Sequence, residues 1–224
     1  MNAINPILPT HHPDAGHLID YAAGSLAEPV ALLVACHLTF CPLCREEVTR
    51  MEAVGGALFE TVDPIAVSDD VKDKLFASLD LEEAAPPSSD VAPVLAEDGP
   101  LPLPLAAMIG KPLDQLKYKK FGAMKEILLD KREDQYRSKL MSIDPGAVMA
   151  WHTHTGEELS LVLSGGFTDG DKHFVRGDVA IAGPDENHSP VADDDGECLI
   201  LAVLDAPLKL TGTFGRLLNP FLKY

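Results

Sequence analysis

Residues 150–160 read AWHTHTGEELS, and how they are read decides the fold of the larger part of the chain. His152 and His154 flank a single threonine. Alternate side chains of a strand share a face, so an extended backbone here projects both imidazoles to one side. Glu158 shares their parity and Glu157 does not, with Gly156 marking a turn between the histidines and the carboxylates. Further on, PDENHSP (184–190) follows another apolar run and supplies His188. Three imidazoles and a carboxylate gathered inside a small β-structure suit zinc, iron, manganese or nickel, with room for one open coordination position. The bland alternative is a set of ordinary surface histidines.

The surrounding runs are of the same kind. AMKEILLD, QYRSKLMSI, VMAWHTH, ELSLVLSG, KHFVRG, DVAIAG and ECLILAVLD are short and separated by Gly, Pro and Asp turns at regular intervals. That pattern predicts a β-sandwich or barrel. Cys198 is expected to be buried on its strand, Met141, Met149 and Trp151 to lie in the barrel core, and His173 to be exposed.

Upstream, the composition changes. Residues 81–104, LEEAAPPSSDVAPVLAEDGPLPLP, combine six prolines with serine and acidic side chains, which predicts an extended connector. The chain thus divides into residues 1–80, 81–104 and 105–224.

The first part has helical periodicity. Asp14 is placed to cap a helix bearing Ala15, Leu18, Ile19 and Ala22, and Gly24 and Ser25 close it. Pro29 and Pro42 each open a further helix, because proline suits the first helical turn. SDDVKDKLFASLD (68–80) adds a fourth, with Val71, Leu75 and Leu79 as an apolar stripe. So small a bundle has a thin core without a staple. HLTFCPLC (37–44) offers one. His37, Cys41 and Cys44 join the end of the second helix to the start of the third, where free amides and the helix dipole favour a thiolate. Structural zinc takes four ligands, so one more is needed. Cys36 points about 100° away from His37 on its helix and suits burial instead. His17 lies beside the apolar stripe of the first helix, whereas His11 and His12 sit just before that helix with the reach to close the site. A redox-active CxxC is the alternative, but it lacks its usual βαβ context.

These features together resemble a known family. An HxxxCxxC motif after a helix containing YAAGSL, with an upstream histidine, is similar to the zinc-binding anti-sigma domain. The whole chain resembles the ChrR-type anti-sigma factors, in which that domain precedes a cupin. The first cupin motif is matched at Gly146, His152, His154, Glu158 and Gly165, and the second in part at Gly177 and His188. Gly183, Asp185 and Ala192 stand where the second motif has Pro, Gly and Asn. The resemblance implies a two-domain α and β fold: a small zinc-bound helical bundle, then a cupin β-barrel of jelly-roll type. It implies His12 as the upstream ligand, hence zinc at His12, His37, Cys41 and Cys44. At His152, His154, Glu158 and His188 it implies zinc or another divalent metal. It further implies that the helical part binds and inhibits an extracytoplasmic-function sigma factor. The cupin would sense stress such as singlet oxygen, with no catalytic residue.

Bulk properties fit that division. The 224 residues carry a net charge of −17, which argues against direct nucleic-acid binding and suits a basic, DNA-binding partner. Residues 1–80 hold 4 basic and 12 acidic side chains, a net of −8, and the amphipathic fourth helix is the segment expected to dock on the partner. The longest apolar stretch, VALLVAC, is far too short for a bilayer, and the N-terminus lacks a secretory pattern. A cytoplasmic location is expected. The competing reading is a cupin metalloenzyme of dioxygenase or isomerase type with a fused zinc-binding domain.

Overall fold

The computed structural model describes residues 8–79, 101–129, 136–184 and 186–212. Helices come first. α1 (Ala15–Ala22) starts at Asp14, whose carboxylate accepts the His17 amide at 2.8 Å. α2 (Glu28–Phe40) and α3 (Pro42–Phe59) both carry proline in the first turn. Cys41 ends one and caps the other, its sulfur accepting the Cys44 amide at 3.4 Å. α3 is buried only in its first half: Cys44 and Val48 are covered, Val54 and Leu58 are exposed. α4 (Asp69–Leu79) buries none of its side chains. The expected connector lies outside the described residues up to 100. Of its last four residues, Leu101 is buried and Leu103 and Pro104 open α5 (Leu103–Ile109), a helix the sequence pattern did not suggest.

The remainder is β. In chain order the strands are β1 (Lys119–Phe121), β2 (Met124–Leu128), β3 (Arg137–Ile143), β4 (His152–His154), β5 (Glu158–Ser164) and β6 (Gly166–Asp169). Then come β7 (Lys172–Val175), β8 (Val179–Ala182), β9 (Asn187–His188), β10 (Val191–Ala192), β11 (Cys198–Leu204) and β12 (Leu208–Leu210). They form one six-stranded sheet, β1-β2-β3-β11-β5-β8, and two three-stranded sheets, β10-β6-β7 and β12-β4-β9. Among the described residues every strand pairing is antiparallel, as in a jelly-roll.

The six-stranded sheet is covered on both faces, and its centre shows why β11 is apolar throughout. Cys198, Ile200, Ala202 and Leu204 face the barrel interior with Val162, Phe167 and Phe174. The alternate residues Leu199, Leu201 and Val203 face outward. There, with Leu159, Leu161 and Leu163 of β5, they pack against Val30, Leu33 and Cys36 of α2 and Leu105 and Ala106 of α5. The helical part is therefore a second layer on the cupin sheet. Its other face, with α1 and α3, closes a smaller core of Leu18, Val34, Cys41, Cys44 and Val48. Met141 and Met149 lie against the barrel interior as expected, but Trp151 does not: it is 54% exposed. It immediately precedes the buried His152, and strand alternation turns its ring outward.

Candidate metal centres

Four side chains of the helical part converge. His12, His37, Cys41 and Cys44 each offer a donor atom, and all four lie within 4.8 Å of one another. His12 Nδ1 is 3.5 Å from Cys41 Sγ and 3.4 Å from Cys44 Sγ, and His37 Nε2 is 3.3 Å from Cys44 Sγ. Local structure explains the placement. Cys41 and Cys44 sit at the cap and first turn of α3, His37 one turn before the end of α2, and His12 on the segment entering α1. His37 is fully buried and both sulfurs nearly so. Burial pushes the His37 imidazole down to about 4, which favours its neutral, ligating form. Burial, then the neighbouring Cys41, pushes the Cys44 thiol up to about 12. A cation reverses that cost by taking the thiolate as ligand. Separations of 3.3–3.5 Å are close to the edges of a tetrahedron with corners about 2.0–2.3 Å from its centre, so the donor set fits a closed zinc site. Cys36, His11 and His17 are not part of the group. Cys36 is buried under α5, His11 stacks on Phe174 with centroids 4.4 Å apart, and His17 lies 3.3 Å from Glu157.

The second group is His152, His154 and His188. β4 carries the first two on one buried face, with Thr153 turned the other way. β9 pairs with β4 so that His188 stands opposite His152. His154 Nε2 and His188 Nε2 are 2.9 Å apart, and the His152 and His188 rings are 4.3 Å apart between centroids. Outer contacts orient the rings: His152 Nδ1 donates to Ala150 O at 2.8 Å, and His188 Nδ1 to Asp169 Oδ2 at 2.6 Å. Burial pushes His154 down to about 4 and lowers His152 as well.

Glu158 stands beside this group rather than within it. Its Oε2 is 3.3 Å from His154 Nδ1, a buried nitrogen with no hydrogen-bond partner, and Ser160 Oγ donates to Oε1 at 3.0 Å. Desolvation raises its pKa, so two buried groups share a contact that a proton or a cation would satisfy. A cavity of about 270 Å³ opens beside them, lined by Met141, Ile143, His152, Glu158, Phe167 and His188. Three imidazoles with a carboxylate at hand fit a divalent metal. Glu157 points elsewhere, to His17 of α1.

Three contributors escaped the sequence reading in whole or in part. Asp169 on β6 orients His188, and nothing in TDGD distinguishes it from an ordinary turn aspartate. Gly177 and Asp178, between β7 and β8, touch the helical part. Gly177 was legible only as a motif glycine, and Asp178 had no signal beyond following it. Cys198 is buried in the barrel and its thiol is pushed up to about 12 by desolvation, while His173 is exposed and bonded to Asp193 at 2.8 Å.

The chain is similar to known proteins. Residues 113–206 match the family described as ChrR Cupin-like domain. The chain is 34% identical over 213 residues to anti-sigma-E factor ChrR of Cereibacter sphaeroides, covering 95% of this chain and 98% of that protein. It is also similar to the crystal structure of Rhodobacter sphaeroides SigE in complex with the anti-sigma ChrR. That likeness has a TM-score of 0.75 and 33% identity, covering 88% of this chain and 99% of the other. An RmlC-like cupin from Ralstonia eutropha is similar at TM-score 0.42 and 15% identity, over 46% of this chain and 71% of its own.

Proposed function

Because the chain belongs to the ChrR family of anti-sigma factors, we propose that it binds and inhibits an extracytoplasmic-function sigma factor through its helical part. The observation that carries this reading is an apolar surface left in water from the middle of α3 through α4. Leu58, Phe59, Ile65, Val71, Phe76 and Leu79 are each more than half exposed. Exposed apolar side chains in this number mark binding sites, and the net charge of −8 over residues 1–80 steers a basic, DNA-binding partner toward them. Residues 1–80 serve as the inhibitory part, 81–104 as connector and 105–224 as sensor.

Zinc at His12, His37, Cys41 and Cys44 ties α1, α2 and α3 together and leaves no position for chemistry. His152, His154 and His188, with the expected fourth ligand Glu158 standing beside them at the Nδ1 edge of His154, would hold zinc or another divalent metal, which would supply a Lewis-acidic centre. The protein's own part there is to aim the imidazoles, through Ala150 for His152 and Asp169 for His188. Stress such as singlet oxygen is sensed at this group and releases the sigma factor. The place of action is the cytoplasm, and no described helix is long and apolar enough to cross a membrane.

Co-expression with a candidate sigma factor tests the reading. A one-to-one complex is expected, lost on chelation or in Cys41→Ser. His154→Ala should keep the complex but fail to release it under photosensitised singlet oxygen. Recovery of the chain without a sigma partner, together with metal-dependent turnover of a substrate in the 270 Å³ cavity, would replace it with the cupin metalloenzyme.

A further inference from the structure

We infer that the cupin completes the helical metal site from outside: the turn between β7 and β8, through the Gly177 carbonyl and the Asp178 carboxylate, is the positioning element for His37 and His12. The inference rests on the reading that His12, His37, Cys41 and Cys44 bind metal.

The first contact sets a tautomer. His37 Nδ1–H donates to Gly177 O at 2.8 Å, and the bond is buried. A ring that donates from Nδ1 keeps its lone pair on Nε2, the atom 3.3 Å from Cys44 Sγ and turned into the cluster. Metal-bound histidines commonly use such a partner to fix orientation and raise basicity. Here the partner comes from 140 residues away, in the other half of the chain.

The second contact holds the arm that carries His12. Asp178 is fully buried. Its Oδ1 accepts the amides of Thr10 at 2.6 Å and His11 at 2.9 Å, and its Oδ2 accepts the Val175 amide at 2.9 Å. The Val179 amide in turn donates to His11 O at 3.0 Å, so residues 10 and 11 are held along the start of β8. His12 follows directly. The turn gets close enough because residue 177 has no side chain. At φ +92° a Cβ there would lie 2.8 Å from Pro9 Cγ and 2.9 Å from Phe40 Cβ. Three of the four donors come from helices joined by short turns. The fourth, His12, is on an arm held at Thr10 and His11 by the cupin.

The test uses the full chain loaded with cobalt(II). Thiolate-to-cobalt charge transfer reports the cysteine-containing site alone, because the three-histidine group has no thiolate. Affinity is read by competition with a chromophoric chelator, with far-UV circular dichroism confirming that each variant is folded. Asp178→Ala is expected to weaken cobalt binding at the thiolate site by about 10–100-fold. Asp178→Asn keeps an amide oxygen for the Thr10 and His11 amides and should lose less, which also gives a readout if the alanine variant fails to fold. A purely structural role for Asp178 would lower the melting temperature and leave cobalt affinity of the folded protein unchanged. Wild-type affinity in a folded variant, with the band abolished by Cys41→Ser, overturns the inference and leaves the ligand assignment standing. Absence of the band from the wild-type chain overturns both.

Discussion

Leu33 of α2 is fully buried between α5 and the outer face of the six-stranded sheet, and truncating it probes whether helices and cupin unfold together. Leu33→Ala removes a side chain packed in one cluster with Leu105, Leu140, Leu159, Leu161 and Leu201. Side chains of α5, β3, β5 and β11 share its cluster, so the cost should be about 3 kcal/mol, within the usual range for buried leucine. For a chain of this size each kcal/mol moves the melting temperature by about 2–4 °C, giving a drop of about 6–12 °C. Two probes follow the two halves separately. Trp151 is the single tryptophan and sits in the cupin, and the cobalt–thiolate band reports the helical site. Both transitions should shift by the same amount in Leu33→Ala, because the cluster belongs to both halves. A tryptophan transition that stays put while the cobalt band moves would refute the shared core and restore two independent domains.

Two further outcomes are expected. Phe76→Asp on α4 should weaken the sigma complex by about 10-fold or more in a titration while moving the melting temperature by no more than about 2 °C, because the side chain is already 64% exposed. Gly165→Ala should destabilise the cupin by about 1–3 kcal/mol, read by urea unfolding of Trp151 fluorescence. Its backbone is at φ +67°, and a Cβ would come within 2.6 Å of Glu197 O and 3.1 Å of Cys198 Cα.

The cysteine-containing cluster was legible in HLTFCPLC because three of its four donors are local. A helix end, a cap and a first turn place His37, Cys41 and Cys44 within eight residues, whatever the rest of the chain does. The fourth donor was open between His11 and His12 on residue grounds, since reach alone does not choose between neighbours. The structure separates them by what each ring meets: His11 stacks on Phe174 and His17 contacts Glu157, leaving His12 against the sulfurs. Likewise, period-two alternation put His152 and His154 on one face, but the position of Glu158 depends on how β5 leaves the turn after β4. The observed carboxylate meets the Nδ1 side of His154. Strands β1, β6, β9, β10 and β12 were missed because runs of two to four residues carry little periodic signal.

By itself, then, the sequence determined the first four helices, the longer strands and which nearby donor side chains share a face. These depend on spacings of two to four residues, and backbone geometry imposes them locally. Only the tertiary structure decided that α2 is the outer layer of the cupin sheet, so that Cys36 faces the cupin sheet and His37 reaches the Gly177 carbonyl. The apolar run VALLVAC looks the same whether it closes a small bundle or also covers a sheet. Which occurs depends on surfaces more than a hundred residues away that short-range periodicity does not encode.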